Sequence, residues 1–178
     1  MAQALVILAE GFEEIEAVTI VDVLRRASIN VTVAALASGP VHGAHHLAIV
    51  PDVVLQDLEL AGYDAVVLPG GMPGAQNLRE DPRVVALVRR FAESGKLTAA
   101  ICAGPTVLEA AGVLKNRRAT SYPGHALPSA QYVEERVVED GNIITSRGPA
   151  TALEFAIALV ARLADADTAR DTAKKLLM

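Results

Sequence analysis

The only cysteine of the chain, Cys102, stands in the run Thr98-Ala-Ala-Ile-Cys-Ala-Gly-Pro-Thr-Val-Leu108. Free cysteine is among the most buried residue types, so the plain reading is a small core side chain; the other is a nucleophile. The apolar residues before it read as a strand. Pro105, with φ preset and no N–H to satisfy, suits the first turn of a helix, while Ala103 and Gly104 leave space for a sharp turn between the two. A thiol placed there lies over a helix N-terminus, which stabilises an anion by ~0.3 to 1, at most ~2, kcal/mol. At about 1.4 kcal/mol per pK unit, that lowers a thiol from about 8.5 to roughly 7 to 8. Most of it stays protonated near neutral pH, so a second group is required. A hydrogen bond to a charged acceptor, at ~1.5 to 3 kcal/mol, has the right size.

The acids of Glu10-Gly-Phe-Glu-Glu-Ile-Glu16 leave the first strand on the same rim as the cysteine turn. Glu13 and Glu14 have a structural explanation, because acids in a first helical turn complement its dipole. Glu16 adjoins apolar helix positions. Burial raises a carboxyl pKa, so Glu16 is expected to stay protonated and donate to the thiolate. The loop Leu68-Pro-Gly-Gly-Met-Pro-Gly74 is glycine-rich at a strand end but lacks the Gly-Lys-Ser/Thr ending of a phosphate loop. Gly70, Gly71 and Ala103 are therefore expected to line the pocket, the amides of Gly71 and Ala103 serving as an oxyanion site. None of His42, His45, His46 and His125 adjoins the cysteine in sequence. His42-Gly-Ala-His-His46 reads as an exposed loop rather than a metal patch, and no metal is expected.

These residues need a scaffold that gathers strand ends. Ala4–Ala9, Val31–Ala35, Leu47–Val50, Asp64–Leu68, Leu97–Ile101 and Ala119–Ser121 read as short strands. Helices follow from Ile15 toward Ser28, over Pro82–Phe91 with Asp81 as N-cap, over about Pro105–Ala111, over Ala152–Leu163 and over Asp167–Leu177. Tyr132–Val138 and Asn142–Thr145 flank an Asp-Gly pair and predict one β-hairpin. Alternating strands and helices imply an α/β fold, with a mostly parallel sheet carrying helices on both faces. In such sheets ligands sit beyond the carboxyl ends of the strands.

The 178 residues suit a single domain, 1–178, and the 52% hydrophobic content with only 3% aromatics implies a core of Ala, Val, Leu and Ile. Sixteen basic against twenty-one acidic residues, with no basic run interleaved with aromatics, argue against nucleic acid. No stretch has the length and apolarity of a membrane span, the N-terminal apolar run lacks a basic flank and reads as a strand, and a lone cysteine forms no intrachain disulfide. A cytoplasmic protein is expected.

The segments Ala4-Leu-Val-Ile-Leu-Ala-Glu-Gly-Phe-Glu-Glu-Ile-Glu16, Val67-Leu-Pro-Gly-Gly71, Gly74-Ala-Gln-Asn-Leu78, Ala99-Ala-Ile-Cys-Ala-Gly-Pro105 and Thr145-Ser-Arg-Gly-Pro149 resemble, in this order, the ThiJ/PfpI superfamily. Within it the likeness, from Ala4 to about Leu163, is to the Parkinsonism-associated deglycase branch with its bacterial YajL-like members. The resemblance implies a flavodoxin-like three-layer sandwich of the class I glutamine amidotransferase-like type. In it Cys102 matches the nucleophile-elbow cysteine and Glu16 the protonated glutamate beside it. It also implies a homodimer, cofactor-free glyoxalase III or deglycase activity on glyoxals and glycated protein or nucleotide groups, and oxidation of the cysteine to a sulfinate under stress. Chaperone-like roles are ascribed to the branch as well.

The chain departs from the pattern in three places. Peptidase-like members carry His after the cysteine, where this chain has Ala103, which argues against proteolysis. The human-type branch has His-Pro where this chain has Tyr122-Pro123, which removes a base typically worth ~10²- to 10⁴-fold and leaves His125 as a substitute that does not align. His45 stands in place of an arginine that faces the pocket in the family. The expected function is a cysteine-dependent glyoxalase or deglycase, and the alternative an oxidative-stress sensor or chaperone. An amidotransferase-like hydrolase would need a His-x-Glu pair, and no histidine here is followed two residues later by an acid.

Overall fold

The structure is a computed structural model that describes residues 1–58 and 60–178. Its strands are β1 (Gln3–Leu8), β2 (Asn30–Ala35), β3 (Val41–His42), β4 (Ala48–Ile49), β5 (Val53–Val54), β6 (Ala65–Leu68), β7 (Leu97–Ile101), β8 (Arg118–Ala119), β9 (Gln131–Tyr132), β10 (Val137–Asp140) and β11 (Ile143–Ser146). Its α-helices are α1 (Glu14–Arg26), α2 (Gly74–Glu80), α3 (Pro82–Glu93), α4 (Pro105–Ala110), α5 (Ala152–Leu163) and α6 (Ala166–Lys175).

The main sheet has seven strands in the order β10-β11-β7-β6-β1-β2-β5. Every pairing in it is parallel except β10 with β11. Side chains alternate between its faces. Ala4, Val6 and Leu8 of β1 pack with Ala17, Ile20, Val23 and Leu24 of α1 and with Phe155, Leu159 and Val160 of α5. Leu5 and Ile7 join the opposite layer, with Leu78 of α2, Val84, Leu87, Val88 and Phe91 of α3, and Val107 and Leu108 of α4. This is the expected flavodoxin-like α/β sandwich. Among the described residues no helix is long and apolar enough to cross a membrane.

Two local expectations need correction, and one helix is added. Leu47–Val50 does not join the main sheet: Ala48 and Ile49 pair antiparallel with β3, so the hairpin is not the sole antiparallel element. The hairpin itself is shorter than the pattern suggests, because Tyr132 leaves it to pair with β8, which lies outside the main sheet. Residues 74–80, which follow the glycine-rich loop, form α2, whose weak apolar periodicity hides a buried face made of Gly74, Ala75 and Leu78.

The topology opens a crevice where β1 and β6 lie side by side. The chain leaves β1 through α1 on one face and leaves β6 through α2 and α3 on the other. Loops at the carboxyl ends of the two strands thus diverge, and the end of β7 lies beside them through the pairing of Leu68 with Ala100.

Candidate functional site

Cys102 follows β7 directly, and its φ is +64°. A non-glycine residue in this region costs roughly 1–2 kcal/mol, so surrounding contacts must hold it. They do so by clamping its backbone: the Cys102 amide donates to the Ser146 carbonyl at 2.9 Å, and the Cys102 carbonyl accepts from the Tyr122 amide at 2.8 Å. The result is a sharp elbow with the side chain 8% exposed.

The loop after β6 approaches from the other side. A Cβ on Gly70 would lie 2.7 Å from Cys102 Cβ and 2.8 Å from the Ala103 nitrogen, so only glycine lets the two loops come this close. Gly71 has φ +87°, a conformation that glycine adopts without strain. The amides of Gly71 and Ala103 lie beside the Cys102 sulfur and favour its charged form.

α1 contributes the carboxyl. Glu13 is its N-cap, accepting from the Glu16 amide at 2.8 Å, and this first turn directs Glu16 inward, where it is fully buried. The Gly70 amide donates to Glu16 Oε2 at 2.7 Å. Oε1 is buried and has no hydrogen-bond partner among the described residues, and the carboxyl stands against Cys102. Burial, the largest influence, pushes the Glu16 carboxyl up to about 7 against the opposing Gly70 and Cys102 contacts.

The thiol does not behave as a helix N-terminus alone would dictate. Burial first, then the charge of an ionised Glu16, push Cys102 up to about 12, while the Gly71 and Ala103 amides pull it down. α4 has only six residues and little dipole to set against that desolvation. The two groups therefore titrate as a pair, with Glu16 the partner that decides how the sulfur behaves.

The structure thus gathers Cys102, Glu16, Gly70, Gly71 and Ala103. Tyr122 reaches the site through its amide, while its ring, 47% exposed, meets the His125 ring edge-on with centroids 6.2 Å apart. His45 contacts Glu14 instead: its Nδ1 lies 2.9 Å from Glu14 Oε2, and its amide donates to Glu14 Oε1 at 2.5 Å. Residue type and position did not reveal that contact, because 31 residues separate the partners.

The sequence model of the DJ-1/PfpI family matches residues 2–162. The Parkinson disease protein 7 homolog of Danio rerio is 46% identical over 183 residues, covering 99% of this chain and 97% of the relative. A Caenorhabditis elegans relative named glutathione-independent glyoxalase DJR-1.2 is 37% identical, covering 98% of this chain and 96% of its own length. The crystal structure of Drosophila melanogaster DJ-1beta superposes with a TM-score of 0.96 at 44% identity, covering 99% of this chain and 98% of the other.

Proposed function

The chain belongs to the DJ-1/PfpI family, and we propose that it is a cofactor-free, cysteine-dependent glyoxalase or deglycase acting on 2-oxoaldehydes and the groups they glycate. The observation that carries this reading is the buried Glu16 carboxyl against the Cys102 sulfur, with the Gly71 and Ala103 amides directed at the same atom. The C. elegans relative named as a glyoxalase supports it at the level of the family.

The Cys102 thiolate adds to the aldehyde carbon of methylglyoxal, and the carbonyl electron pair moves to oxygen, within reach of the two amides. That oxygen takes the proton held by Glu16, giving a hemithioacetal. Glu16, now ionised, removes the former aldehyde hydrogen as a proton to leave an enediolate; the hydroxyl proton passes to the neighbouring oxygen, and Glu16 returns its proton to the neighbouring carbon. The product of this isomerisation is a thioester, which water hydrolyses to lactate and the free thiol. One water is added overall, and there is no net oxidation. In this scheme Glu16 serves as the base, and neither the half-exposed Tyr122 nor His125 is needed for the proton.

Incubation with methylglyoxal should yield lactate from the native chain and at least ~10²-fold less from Cys102→Ser, the lower bound for losing a positioned group of this kind. Equal lactate from the two proteins would overturn the reading. A second reading, sulfinate sensing, is favoured by the unpartnered, buried Glu16 Oε1, which is placed to bond an oxygen added to the sulfur. Two equivalents of peroxide would supply the two oxygens. Intact mass after mild peroxide treatment distinguishes the readings: a gain of two oxygens, absent in Cys102→Ser, supports sensing. A homodimer in the cytoplasm fits either reading, and light scattering tests the dimer.

A further inference from the structure

Beside the Glu16 turn, one group of side chains combines two buried carboxylates with an exposed histidine, Glu13 serving also as the N-cap of α1. Glu13, Glu14 and His45 each offer one ligand atom, and the three atoms lie within 4.8 Å of one another. Both glutamates are buried. Among the described residues neither forms an ion pair with lysine or arginine, and His45 is the sole cationic partner of Glu14. Two adjacent buried carboxylates facing one histidine leave negative charge uncompensated.

The carboxylates are also held in a way that suits a ligand. Glu13 commits Oε2 to the Glu16 amide, and its other oxygen accepts no hydrogen bond among the described residues. Glu14 commits Oε1 to the His45 amide and, at 3.4 Å, to the Leu47 amide, leaving Oε2 toward His45 Nδ1. Backbone donors thus orient each carboxylate by one oxygen, while the second oxygen of Glu13 accepts no hydrogen bond among the described residues and that of Glu14 meets His45 Nδ1; supporting contacts of this kind commonly fix metal ligands. We propose that Glu13, Glu14 and His45 form a binding site for a borderline divalent cation of the zinc type, pinning the His42–His46 loop to the first turn of α1.

The spacing suits that ion. Zinc holds His nitrogen and carboxylate oxygen at ~2.0 to 2.2 Å, so ligand atoms around a tetrahedral centre lie about 3.4 Å apart. The 2.9 Å between His45 Nδ1 and Glu14 Oε2 must therefore widen by about half an ångström. His45, whose side chain is 74% exposed, has the freedom to move by that much, and the widest separation, up to 4.8 Å, must close by about 1.4 Å. One nitrogen and two oxygens favour zinc-like ions over calcium or magnesium, which take oxygen alone. A fourth, solvent-facing position remains for water.

This inference is independent of the glyoxalase reading, and its test is arranged to keep the two apart. Zinc binding is measured by chelator competition in the Cys102→Ser chain, where the thiol cannot serve as a ligand. A single equivalent should bind, and His45→Ala should weaken binding about tenfold or more, the scale on which even supporting contacts act. His42→Ala should leave affinity unchanged. So should His46→Asn, chosen because His46 has φ +70°, which asparagine tolerates. Cobalt substituted for zinc should give a spectrum without thiolate charge transfer in the native chain as well. Affinity unmoved by His45→Ala, binding that requires Cys102, or no binding at micromolar zinc would each overturn the proposal.

Discussion

Burial pushes both Cys102 and Glu16 toward their neutral forms, yet the amides around them give the remaining charge a place to rest. Between about pH 7 and about pH 12 the pair holds one proton. Two amides, from Gly71 and Ala103, face the sulfur, and one, from Gly70, faces the carboxylate. The balance of donors favours a thiolate beside a protonated Glu16. Alkylation of Cys102 by iodoacetamide should therefore rise through an inflection near pH 7, as the pair loses its first proton. Glu16→Gln should lack that inflection and show a single rise at higher pH. An inflection near 7 that persists in Glu16→Gln would refute the shared proton. Gly70→Ala tests the close approach of the loops: its Cβ meets Cys102 and the Ala103 nitrogen. It should slow alkylation and destabilise the fold by about 1–3 kcal/mol, as overpacking does, read from urea midpoints. The pairing of Cys102 with Glu16 was legible because a thiol in need of a donor and a carboxyl beside apolar positions imply each other. The height of the thiol pKa was not legible, since desolvation depends on how closely Gly70 lets a second loop approach.

At the scale of the elements, local signals sufficed where one residue dominates the geometry. Asp81 and Pro82 mark the start of α3, and Asp81 Oδ1 accepts from the Arg83 amide at 2.9 Å as a cap should. Asp81→Ala should cost about 1 kcal/mol in urea unfolding and leave the alkylation rate of Cys102 unchanged; a loss below a few tenths would deny the cap its role. Signals failed where pairing over distance decides. Leu47–Val50 has a strand's composition, but its partner is the two-residue β3, and the ladder is anchored by the Glu14 contacts to residues 45 and 47. Tyr132 likewise reads as the start of a hairpin strand until β8 claims it. α2 escaped notice because its buried side is small and glycine-led, so it lacks the stripe of large apolar residues that announces α3.

At the scale of the whole molecule, the crevice between β1 and β6 places a carboxyl inside the fold, and that placement couples global stability to pH. The folded-state value of Glu16, about 7, lies above its ordinary 4.5. Between those values the native chain keeps a proton that the unfolded chain has released. The contribution belongs to the Glu16–Cys102 pair: it is fully present below pH 4.5 and is lost as pH rises through 7, where the pair gives up its first proton and keeps the second on Glu16. At about 1.4 kcal/mol per unit the loss is on the order of 3 kcal/mol. Glu14, Asp81, Glu154 and Asp165 act in the opposite sense: their carboxyls are held below ordinary values, so their contributions fall away only in acid. His45, raised by its bond to Glu14, adds a loss of the same sign as Glu16. Urea unfolding of chelator-treated protein between pH 5.5 and 7.5 should therefore show native stability falling as pH rises. Glu16→Gln, which cannot ionise, should fall less, retaining only the part due to His45. Parallel pH profiles for the two proteins would mean that the buried carboxyl already ionises below this range. Glu16 would then have no proton to give the hemithioacetal oxygen, and the mechanism built on it would fail with the stability argument.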